Sequence, residues 1–108
     1  MIYYARRCRE NYGNDNNKVD NAESGSWTQF GLIEDADRII DFQAVYWDGS
    51  SGNFLTLRDA YDNVIYYNVS AAAMTEPEIL VSPITIRLPI TYLTNEASSS
   101  IRIWGKFA

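Results

Sequence analysis

The run RIIDFQAVYWDGSSGNFLTLRDAYDNVIYYNV, residues 38–69, decides the fold class. From Arg38 to Trp47, the side chains of Ile40, Phe42, Ala44 and Tyr46 alternate with Asp41 and Gln43, a period of two that marks a half-buried β-strand. Asp48-Gly-Ser-Ser-Gly-Asn53 then gathers turn residues, and Phe54 to Arg58 places Leu55 and Leu57 on a common face, so a hairpin is predicted across the turn. Asp59-Ala-Tyr-Asp-Asn63 is a second polar turn, after which Val64 to Val69 resumes the strand pattern with Ile65, Tyr67 and Val69 aligned. Two runs of similar length around such a turn predict a second hairpin.

Working outward, Trp27 to Ile33 reads as a strand with Phe30 and Leu32 on one face and Trp27 and Ile33 on the other. Before it, Glu10 to Ser26 is dominated by Asn, Asp and Gly, with Tyr12, Val19 and Ala22 as its apolar side chains, and is expected to be a long polar loop. Ile2, Tyr3 and Tyr4 favour an extended N-terminal strand, so residues 1–9 are expected to form an arm or edge strand. On the C-terminal side, Ser70 to Pro77 is expected to be a crossover loop, because Pro77 and Pro83 leave no room for a longer helix. Ile84, Ile86, Leu88 and Ile90 alternate with Thr85, Arg87, Pro89 and Thr91, a strand that Pro89 confines to an edge, a start or a bulge. Finally Ile101, Ile103 and Phe107 alternate with Arg102, Trp104 and Lys106. About seven to eight short strands with no long helical pattern predict an all-β fold, a small antiparallel β-sandwich or jelly-roll-like barrel. At 108 residues the chain is expected to be a single β domain, spanning 1–108.

Composition narrows the function. Nine Lys plus Arg against fourteen Asp plus Glu give a formal charge of −5, the wrong sign for tracking phosphates, so no nucleic-acid partner is expected. The absence of histidine removes Ser-His-Asp and Cys-His arrangements and the usual zinc and iron ligand sets. Cys8 is the single cysteine, so no intramolecular disulfide is available. Arg6, Arg7 and Arg9 follow a short apolar stretch, the reverse of a secretory signal, and no apolar run approaches the roughly 20 residues of a membrane span. Synthesis in the cytoplasm and no membrane partner are the expectations, which makes the sequon Asn68-Val69-Ser70 a chance match.

No constellation points to catalysis. Glu34, Asp35, Asp37 and Asp41 lack the glycine-punctuated spacing of a calcium loop and read more simply as a solvated turn. No Gly-rich phosphate loop, nucleophile elbow or metal-spaced cysteine set is present. The chain is expected to be no enzyme, with no catalytic, cofactor-binding or metal-ligating residue and no cofactor. Trp104 between Arg102 and Lys106 is the most informative local feature, since an outward tryptophan flanked by cations calls for a covering partner. It stacks on a sugar, covers a loop of its own chain, or sits in an interface, for which aromatic and arginine side chains are the favoured anchors. Tyr3 and Trp47 raise the same question, although a shift of one residue in register turns either toward the core.

Residues 38–107 resemble the small all-β virion proteins of tailed bacteriophages and prophages, of the decoration or accessory kind. The run quoted above looks like their strand, Gly-containing turn, LTLRD and Asp-Asn turn into VIYY, while PITIRLPITYL (83–93) and IRIWGKF (101–107) are similar to their proline-flanked and closing strands. The resemblance implies a non-catalytic capsid decoration or cement protein, assembled onto the virion in the bacterial host cytoplasm. Its partners would be the major capsid protein or other virion subunits, with further copies of itself, a trimer by analogy. Interface candidates are Tyr3, Arg6, Arg7, Arg9, Trp47, Arg102, Trp104 and Lys106. The N-terminal arm would add to a neighbour's sheet, its arginines complementing an acidic capsid surface. The alternatives are a carbohydrate-binding β-sandwich, with Trp47, Trp104 and a tyrosine as the sugar platform, and a neck, tail or baseplate component.

Overall fold

The computed structural model describes residues 18–30 and 37–107. They form eight strands: β1 (Lys18–Val19), β2 (Thr28–Phe30), β3 (Ile39–Trp47), β4 (Phe54–Arg58), β5 (Val64–Val69), β6 (Glu78–Arg87), β7 (Ile90–Thr94) and β8 (Ile101–Phe107). Two four-stranded sheets run in the orders β1-β8-β3-β6 and β2-β7-β4-β5, with every pairing antiparallel. This strand order is that of a jelly roll, the all-β sandwich expected from the alternating pattern. The expected N-terminal strand, residues 31–33 of the strand expected over Trp27 to Ile33, and the acidic residues Glu34 and Asp35 lie outside the described residues.

Each sheet buries its inner face because the apolar residues sit at every second position. Ile101 and Ile103 of β8, Leu55 and Leu57 of β4, and Ile90 and Tyr92 of β7 meet Phe30, Phe42, Ile40 and Ile86 in one core. The Phe30 and Tyr92 rings pack edge to face, with centroids 6.2 Å apart. On β8 the inward position after Ile103 is Gly105, where a Cβ would stand 2.8 Å from the Ile40 side chain and 3.0 Å from the Asp41 carbonyl oxygen.

The β4–β5 hairpin spans the residues expected, and Asp59 explains its turn. One Asp59 carboxylate oxygen accepts from the Tyr61 and Asn63 backbone N–H groups at 2.9 and 3.0 Å, which lets Asp62 adopt a φ of 64°. The expected β3–β4 hairpin does not form. The turn at 48–53 instead carries the chain from one sheet to the other, and Gly52, at a φ of 90°, bonds to Ser70 rather than closing a ladder.

Three further patterns differ from expectation. Strand β3 carries a bulge at Gln43: Phe42 opposes Gly105 and Ala44 opposes Trp104, so two steps on β3 match one on β8. Beyond it the inward residues become Val45 and Trp47, and Tyr46 turns outward. On β5 Tyr66 opposes the buried Leu57 and faces the core, with Tyr67 and Val69 outward, and the shift between Leu57 and Arg58 leaves Ile65 unpaired at the core margin. The single strand expected over 84–91 is two strands in opposite sheets, separated by Leu88 and by Pro89, which has no N–H to give a ladder. Leu88 and Ile90 stay fully buried across this corner, so the alternation in sequence survives while the sheet changes.

Within the polar stretch 10–26, Lys18 and Val19 pair with Arg102 and Ile101, and Ala22 is buried, held by its N–H to the Ser99 carbonyl at 2.9 Å. Residues 10–17 lie outside the described set.

Candidate functional site

The outer face of the β1-β8-β3-β6 sheet carries the first candidate site. The alternation on β8 turns Arg102, Trp104 and Lys106 away from the core, and the bulge in β3 brings Tyr46 to the same face. Arg102 lies between Tyr46 and Lys18 in directly paired positions, and Trp104 opposes Ala44, which is wholly buried. Lys18, Tyr46, Arg102 and Trp104, together with Asp20, Asp48, Thr75, Glu76, Pro77 and Ser100, line a cleft of about 400 Å³.

One wall of the cleft is fixed by the backbone: Ser100 N–H donates to Asp48 Oδ1 at 2.7 Å, and the Asp48 N–H returns a bond to the Ser100 carbonyl at 3.2 Å. The remaining charges are uncommitted. Among the described residues, the side chains of Lys18, Asp20, Tyr46, Glu76 and Arg102 make no hydrogen bond or ion pair with one another or with the frame around them.

The second candidate surface runs along the edge strands β5 and β6, one from each sheet. The Tyr66 hydroxyl donates to Glu78 Oε1 at 2.9 Å across the seam between them. Burial, and then the neighbouring Glu78 carboxylate, push the Tyr66 phenol above its ordinary range, so it keeps its proton and remains a donor. Around this link Val64, Tyr67, Val69, Ile79 and Ile84 are exposed, and Val81 is completely so, at 104% of its reference area. Its prominence has a local cause. Phe42 opposes Ile84 and Ala44 opposes Ile79, so Leu80 to Pro83 oppose no β3 residue and the strand swells outward, with Pro83 placed where no N–H is needed. From Val64 to Ile86 the only charged residues are Glu76 and Glu78.

Of the interface candidates, Arg102 and Trp104 share the cleft and Lys106 lies further along the same face, opposite Asp41. Trp47 does not belong with them. It is 1% exposed, its indole N–H donates to Ser99 Oγ at 3.0 Å, and a Cβ at Gly49 would run into its ring. The bulge at Gln43 is the physical reason, because it shifts the inward set by one residue. Tyr3, Arg6, Arg7 and Arg9 lie outside the described residues. Sequence reasoning missed Tyr46, Lys18 and the β6 protrusion; only the uncharged run from 64 to 75 signalled the last of these. Among the described residues no three His, Cys, Asp or Glu side chains gather to hold a metal ion. Comparison of the chain with protein-family models, curated proteins and solved structures finds no match.

Proposed function

We propose that this chain is a non-catalytic structural protein of a tailed-phage virion, of the capsid decoration kind, and that it docks on capsid subunits through its β5–β6 side. One observation supports this reading above the others: two edge strands that present Val64, Tyr67, Val69, Ile79, Val81 and Ile84 with no lysine or arginine between Val64 and Ile86. Edge strands in monomers are ordinarily guarded by charge, because their unpaired backbone groups and apolar side chains recruit other chains. A face left in this condition is suited to a partner that covers it. The jelly roll serves viral capsid and lectin domains alike, so the fold by itself does not select the function.

The test is quantitative mass spectrometry of purified virus particles from the source, comparing copies of this chain with copies of the major capsid protein. Parity, or a simple fraction of it, is the expected result. A handful of copies would move the chain to the neck, tail or baseplate, and absence from particles would overturn the virion reading.

A further inference from the structure

We propose that the cleft between Tyr46, Trp104 and the start of β1 is a binding site for a neutral oligosaccharide, separate from the β5–β6 docking side. At about 400 Å³ it falls within the range of small-ligand sites, roughly 300–1,000 Å³. Its wall carries two aromatic side chains on neighbouring strands, Trp104 on β8 and Tyr46 on β3, facing the same way. Aromatic faces take up the apolar C–H face of a sugar ring, while the ring's hydroxyls look for polar partners at the edges.

Those partners are present and unspent. Lys18 and Arg102 supply donors, Asp20 and Glu76 supply acceptors, and none of the four is engaged within the described frame. A sugar hydroxyl both donates and accepts, so it uses both kinds together. The near balance of charge suits a neutral ligand better than a strongly charged one. An anionic group meets three carboxylates, those of Asp20, Asp48 and Glu76, against two cations, and a cationic group meets Lys18 and Arg102 side by side in paired positions. The Asp48–Ser100 bonds hold one wall in place before the ligand arrives, which lowers the ordering cost of binding. In this site Trp104 stacks on the ring, Arg102 and Lys18 donate, and Glu76 and Asp20 accept.

The test applies the purified full chain to an array of neutral oligosaccharides built from glucose, N-acetylglucosamine, galactose and mannose, beside sialylated and sulfated ones. Calorimetric titration of the best neutral binder follows. We expect retention of neutral glycans, a loss of tenfold or more in affinity for Trp104→Ala in the folded variant, and a several-fold loss for Glu76→Gln with an unchanged Tm. Arg102 is exposed, so Arg102→Ala carries the same test if Trp104→Ala fails to fold. Retention of acidic glycans alone, no retention at all, or wild-type affinity in the cleft variants would overturn the assignment. Particle incorporation is measured separately, so failure here leaves the virion reading standing.

Discussion

Tyr46 and Trp47 are adjacent aromatic residues with opposite fates, and the single extra residue at Gln43 decides which is which. Trp47 goes inward, where its size fills the core and its one N–H finds Ser99 Oγ; Tyr46 goes outward to the cleft. At the same end of the molecule Glu96 shows how a surface carboxylate stabilises a turn. It accepts from the Ser50 N–H at 2.7 Å and from the Asn53 side-chain amide, and these bonds, the first the larger, hold its carboxyl below the ordinary 4.5. A lowered native pKa means that the contribution is complete above pH 4.5 and is lost as pH falls through the native value. Glu96→Gln is therefore expected to be less stable than the parent chain at neutral pH and to lose less stability on acidification below about pH 4.5. Urea midpoints from pH 7 down to about pH 2.5 check this, and parallel curves for the two chains would contradict it.

Among the elements, β8 is the strand that the rest of its sheet is built around, pairing with β1 on one side and β3 on the other. Gly105 lets it approach β3 closely. Alanine there has nowhere to go, since Ile40 is fully buried and the Asp41 carbonyl is backbone. Gly105→Ala is expected to cost about 1–3 kcal/mol through overpacking, despite alanine's lower backbone entropy cost. A denaturant midpoint equal to the parent's would show that the strands separate easily. The bounds of the β4–β5 hairpin were legible to the residue, because polar turn and strand patterns lie next to each other in sequence, but the inward face of β5 was not. The β3 bulge and the division of 84–91 into two strands were not, because both depend on which strand each residue meets across the sandwich.

For the whole molecule, the cleft and the β5–β6 side draw on different strands and different chemistry. Val81→Lys alters a fully exposed side chain, so it is expected to leave Tm within about 0.5 kcal/mol equivalent of the parent. The same change puts a charge at the centre of the proposed docking side, and we expect it to abolish incorporation into particles while glycan binding survives. Trp104→Ala is expected to do the reverse, and the pair of variants, assayed for both properties, separates the two surfaces. One variant removing both properties would merge them into a single site. Alternation of apolar and polar residues and turn composition determined from sequence alone that the chain is an all-β sandwich. Arg102 and Trp104 were likewise legible as outward residues, because the period of two on β8 runs unbroken. Tertiary structure alone decided that β1 meets β8, that Trp47 is core and that Tyr46 and Lys18 join Trp104. The reason is physical: local pattern sets which way a side chain points from its own strand, whereas a bulge or a change of sheet is set by partners distant in sequence.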